Sequence, residues 1–81
     1  MNTYIATFFS HFGAIRYKKL CQAEGLTAKV MPVPRSLSSS CGTCVSYEAE
    51  DHMLQNGITE ELEQIVLVTD QGYEKLYSIE G

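Results

Sequence analysis

The sequence predicts an α+β protein of ferredoxin-like type, a β-α-β-β-α-β sandwich with two helices on one face of a four-stranded sheet. Three observations lead there. Aromatic and β-branched runs alternate with stretches of helical periodicity, turn residues separate them, and 81 residues at 44% hydrophobic and 20% charged suit one domain. Residues 1–81 therefore read as a single domain without repeat or linker.

Taken in order, Tyr4-Ile5-Ala6-Thr7-Phe8-Phe9 reads as a buried strand. Ser10 then caps a helix that runs through residues 11–24 without Pro and stops at Gly25. Ala14, Tyr17 and Cys21 fall at i, i+3 and i+7, with Leu20 on the flank, so this side faces the core and the Lys18-Lys19 side faces water. Cys21 accordingly reads as core packing. Thr27-Ala28-Lys29-Val30-Met31 is a second strand, ended by Pro32 and Pro34, which cannot donate to a ladder. The serine-rich residues 33–43 form a loop, because serines bond nearby backbone groups in turns. Cys44-Val45-Ser46-Tyr47 resumes alternation as a third strand, with Val45 and Tyr47 on one face and Cys44 and Ser46 on the other. Residues 50–55 read as a short helical turn stopped by Asn56-Gly57.

The last third admits two readings. Ile58, Leu62, Ile65 and Val66 recur at helical spacing, and Glu60, Glu61 and Glu63 crowd what would be the first turn, which favours a helix. The competing reading is a hairpin in which Ile65-Val66-Leu67-Val68-Thr69 turns at Asp70-Gln71-Gly72 into a strand over residues 73–79. The predicted architecture takes the helix, and the final segment is a strand in both.

Charge and composition narrow the function. The net charge is −4 and the six basic residues are scattered, with no run longer than Lys18-Lys19, so no nucleic-acid partner is expected. No apolar run approaches the ~18 residues of a membrane span, so no membrane partner is expected either. Residues 1–11 show neither a basic lead nor a small-residue cleavage site, which places the chain in the cytoplasm. Three cysteines are too few, and odd in number, for a disulfide framework. Two of them nevertheless share one motif, Cys41-Gly42-Thr43-Cys44.

The expected topology gives that motif a setting. A right-handed crossover makes strands 1 and 2 parallel, so the loop after strand 2 sits beside Ser10, His11 and the helix start. The turn at Gln71-Gly72 would join the same edge. A thiol is nucleophilic as thiolate, and a cation or a helix N-terminus lowers its pKa from about 8.5. Arg35 and His11 are the candidate cations. Backbone N–H groups of the Ser- and Gly-rich turn can form a nest for an anion such as a thiolate, persulfide or selenide, and Gly42 permits the positive φ a nest needs.

The stretch Pro34-Arg35-Ser36-Leu37-Ser38-Ser39-Ser40-Cys41-Gly42 resembles the signature of a small bacterial family of selenium/sulfur carrier-like proteins. The N-terminal half is similar too: Phe8, Phe9 and Ser10 match a strand ending in Phe-x-Ser, and Ala14 and Gly25 match the small residue and the stop of the helix. The resemblance implies that Cys41 carries sulfur or selenium, that Arg35, Ser39, Ser40 and Gly42 are its setting, and that protein partners donate and accept the chalcogen. Ser10 and His11 join them as binding residues from the expected topology. Cys44, a thiol outside the family pattern, is the candidate to resolve a Cys41 adduct by forming a disulfide.

The expected role is a carrier or accessory protein rather than a stand-alone enzyme, without a cofactor. Two alternatives stand beside it. One is a small metal-binding or regulatory module whose C-x-x-C holds zinc at a dimer interface, since within one chain only Cys21, His11 and His52 remain as ligands. The other is a dithiol redox protein acting on other proteins. A thin core and an exposed strand edge are compatible with a homodimer.

Overall fold

The computed structural model describes residues 2–37, 42–50 and 61–78. The chain runs β1 (Asn2–Phe8), α1 (His11–Ala23), β2 (Thr27–Pro32), β3 (Thr43–Ala49), β4 (Leu62–Thr69) and β5 (Gly72–Ser78). The five strands form one sheet in the order β2-β3-β1-β4-β5, every neighbouring pair antiparallel.

β1 is the central strand and is buried on both faces. Its Tyr4, Ala6 and Phe8 pack with Ala14, Tyr17 and Cys21 of α1 and with Val45, Tyr47, Leu62 and Ile65. Aromatic rings fill this layer. Tyr4 stacks on Tyr47 at 5.4 Å, Tyr17 meets Tyr47 edge-on at 5.3 Å, and Phe8 lies 5.3 Å from Tyr17. The Tyr17 hydroxyl donates to the Tyr47 hydroxyl at 3.0 Å, so two buried polar groups partner each other. Burial, with Tyr17 alongside, pushes the Tyr47 phenol well above its ordinary pKa and keeps it neutral. On the other face of the sheet Ile5, Cys44 and Val66 form a second cluster under Met31, Val33 and Leu37.

β1 and β2 both run antiparallel to β3 and therefore parallel to each other, with α1 as the crossover. β2 is an edge strand, which is where a sheet tolerates Pro32. No described helix is long and apolar enough to cross a membrane.

Two expectations are corrected. Among the described residues there is one helix, and the second predicted helix gives way to β4, paired with β1 on one side and β5 on the other. The protein is α+β, but its described residues form a five-stranded antiparallel sheet with one helix, not the ferredoxin-like sandwich of two helices on four strands. A β-bulge explains the misleading periodicity. Thr7 pairs with Gln64 but Phe8 pairs with Leu62, so Glu63 is the extra residue. The bulge puts Leu62 and Ile65 on the same, helix-facing side, which imitates an i, i+3 spacing. Val66 turns to the opposite cluster, so this doubly buried strand lacks clean alternation.

The second correction concerns the hairpin turn. Leu62 lies opposite Phe8 and Leu67 opposite Tyr4, so Asp70 and Gln71 sit at the far end of the sheet from Ser10. Glu61, just before β4, takes their place at the predicted edge. The helical turn expected over residues 50–55 lies, apart from Glu50, outside the described residues, as do its Asn56-Gly57 stop, His52 and Ile58.

Candidate functional site

The start of α1 is held by three backbone and side-chain contacts. Ser10 adopts extended N-cap geometry (φ −146, ψ 161), and its hydroxyl oxygen accepts from the Gly13 N–H at 3.3 Å. The same hydroxyl donates its hydrogen to Glu61 Oε2. The Phe9 N–H donates to the Glu61 carbonyl at 2.8 Å. α1 has no acidic residue in its own first turn, and Glu61 supplies from the β4 entry the negative charge that the helix dipole favours there. Two residues beyond Glu61, Glu63 Oε1 accepts from Thr7 Oγ1 at 3.0 Å. Ser10 is thus committed as a cap on both its donor and one acceptor site.

Glu61 and Glu63 read from sequence as a solvated helix start, yet they brace the helix and β1. One signal pointed to this: Gly13 sits in the first turn of α1, where alanine would be the better helix former. A Cβ there would lie 2.5 Å from Glu61 Cβ and 3.3 Å from Phe8 Cδ2, so only glycine admits β4 so close.

The loop after β2 closes beside this helix start. The Val33 N–H donates to the Gly42 carbonyl at 3.1 Å, extending the β2–β3 ladder by a step. Pro34 and Leu37 form a turn closed by Leu37 N–H to Pro34 O at 3.0 Å, which exposes Arg35 and folds Leu37 onto the second core cluster. Gly42 has φ +73, the left-handed region expected of it, with open space where a Cβ would be. Thr43 Oγ1 lies 2.8 Å from His11 Nδ1. The structure therefore brings His11 to the end of the loop at Thr43, while the Ser10 side chain is engaged by Gly13 and Glu61. Among the described residues no hydrogen bond joins Arg35 to Ser10 or His11, and Ser39, Ser40 and Cys41 lie outside the described residues.

The two described thiols are both buried. Cys21 is fully enclosed between α1 and the sheet, and burial pushes its pKa from 9.0 up to about 11. Cys44 is fully buried in β3, with Sγ 3.7 Å from the Pro32 carbonyl oxygen and Ile5, Val66, Met31, Val33 and Leu37 around it. It is a strand residue under the loop, not part of an exposed pair. The raised Cys21 pKa has a consequence for stability. The folded chain keeps this proton where the unfolded chain has lost it, so stability falls as pH rises from 9.0 to about 11. Urea midpoints measured at about pH 8 and about pH 10 will show a smaller drop in Cys21→Val than in the parent; equal drops would contradict this.

Among the described residues no three His, Cys, Asp or Glu side chains gather as a metal site. What this edge holds among the described residues is the Val33–Gly42 backbone bond, the left-handed Gly42 and the helix start whose His11 meets Thr43. These features define a small α+β protein in which the start of the helix meets the head of β3 at Thr43. The chain belongs to the family described as "Putative Se/S carrier protein-like", whose model matches residues 3–78. Among curated proteins it is similar to "Uncharacterized protein YtiA" of Escherichia coli (strain K12), 38% identical over 45 residues. That match covers 56% of this chain and 53% of the relative, so the chain spans about half the length of the curated protein it matches. No solved structure matches at a significant level.

Proposed function

We propose that the protein carries sulfur or selenium on Cys41, taking it from one protein partner as a persulfide-type adduct and passing it to another. One observation carries this reading within the carrier-like family. Of three cysteines, the two described ones are buried, which leaves exchange to Cys41, and the loop end two residues beyond it bonds His11.

In the transfer step the Cys41 thiolate attacks the terminal sulfur of a donor persulfide. The donor S–S bond breaks, the donor leaves as a thiolate, and Cys41 holds the persulfide with no net oxidation. Delivery is the same exchange in reverse, with an acceptor thiolate attacking and Cys41 leaving. Selenium would travel as the corresponding selenosulfide. Gly42 in its left-handed conformation, with Ser39 and Ser40, is assigned to cradle the anionic adduct, and Arg35 and His11 to supply positive charge near it. Cys44 is a reserve thiol. Its attack on Cys41 Sγ would expel hydrosulfide and leave a disulfide, but only once the Val33 and Leu37 cover had opened.

The test is mass spectrometry after incubation with a purified cysteine desulfurase and cysteine. A gain of about 32 Da, one sulfur atom, is expected in the parent and in Cys21→Ser and is expected to vanish in Cys41→Ser. No gain in the parent, or a gain that survives Cys41→Ser, contradicts the proposal.

A further inference from the structure

α1 buries one side, through Gly13, Ala14, Tyr17 and Cys21. Its opposite side, where polar residues are expected, carries Phe12, 78% exposed, and Ile15, 46% exposed. Phe12, Ile15, Arg16 and Lys19 follow the i, i+3, i+4, i+7 spacing and are all exposed, so they form one continuous stripe. α1 also holds three of the six basic residues and no acidic one, in a chain whose net charge is −4. Helix and remainder are therefore opposite in charge. The stripe begins beside His11, whose ring bonds Thr43 at the end of the cysteine-bearing loop.

We infer that Phe12, Ile15, Arg16 and Lys19 are the docking surface for the protein that donates the chalcogen, an inference that rests on the carrier reading. The fitting partner is an acidic surface with an apolar socket that takes the Phe12 ring. An exposed aromatic flanked by charges is the usual anchor of a protein interface, and the basic residues select an acidic partner and steer it. A second copy fits poorly, because a two-fold contact would set this basic stripe against itself. An anionic lipid surface fits less well too, because two apolar side chains on a 13-residue helix bury little in a membrane. A protein partner seated on the stripe reaches the helix start that carries His11, whose ring bonds Thr43.

The experiment compares two ways of charging the full chain: by a purified cysteine desulfurase, which must dock, and by inorganic polysulfide, which need not. Phe12→Ser is expected to lower kcat/KM with the desulfurase about 30-fold, mainly through KM, the scale of one interface anchor. Arg16→Glu with Lys19→Glu is expected to act in the same direction, and the parent rate is expected to fall with salt. Polysulfide charging is expected to be unchanged in every variant. Parental desulfurase rates in the variants overturn the docking role, as does a polysulfide rate that falls in step. Charging of the parent by polysulfide alone removes the docking role and leaves the carrier reading standing, whereas charging by neither donor removes both. Vesicles of phosphatidylglycerol that bind the parent but not Phe12→Ser, or a dimer lost in Phe12→Ser, with desulfurase rates intact, would assign the stripe to a membrane or to self-association instead.

Discussion

Phe8→Ala is expected to destabilise the protein by about 3–5 kcal/mol, the usual cost of deleting a fully buried aromatic ring. Phe8 is 0% exposed and lies against Tyr17, so its ring is a large part of what seats α1 on the sheet. A domain of this length holds in total about 4–12 kcal/mol, so the variant will sit close to its unfolding midpoint at room temperature. Phe8→Leu keeps most of the apolar volume and should cost less than Phe8→Ala. Urea unfolding followed by circular dichroism measures both. A Phe8→Ala loss below about 1 kcal/mol would mean that the helix is not held by this contact. The effect reaches the site, because the helix that loses its seat carries His11 to Thr43.

Gly13→Ala separates two opposed effects by sign. Helix propensity alone makes alanine better than glycine by about 1 kcal/mol. The added Cβ, however, would come 2.5 Å from Glu61 Cβ, which is no flexible side-chain tip, and 3.3 Å from Phe8. Overpacking of this kind costs about 1–3 kcal/mol, so a net loss is expected, read as a melting temperature lower by several degrees. The partner of the clash is named, which makes the effect separable. In a double-mutant cycle with Glu61→Gly, which removes the offending Cβ, most of the Gly13→Ala loss should disappear. A stabilised Gly13→Ala variant would show that β4 does not enter this closely against the helix.

The parts legible in the sequence were those whose pattern matched their surroundings. Ala14, Tyr17 and Cys21 mark the buried side of α1, and Ser10 and Gly25 bracket it. Val45 and Tyr47 alternate with Cys44 because β3 is covered differently on its two faces. The predicted architecture takes β4 as a helix because the Glu63 bulge imitates a helical spacing and burial on both faces erases the alternation that marks a strand, whereas the competing hairpin reading is the one that forms. The Glu61 brace was hidden for a related reason: an acidic cluster looks solvated until the strand that carries it is placed beside the helix start. Cys44 was paired with Cys41 by spacing alone. Its burial depends on Val33 and Leu37, two apolar residues inside a loop whose serines dominate its composition.

That Cys41 is the exchange thiol is tested most directly by site-resolved mass spectrometry of the parent protein after charging by a sulfur donor. Free thiols would be blocked under native conditions before digestion. The added sulfur is expected on Cys41, with Cys21 and Cys44 bare and unblocked until denaturant is present. Sulfur found on Cys21 or Cys44 of the native protein, with Cys41 unmodified, would contradict it.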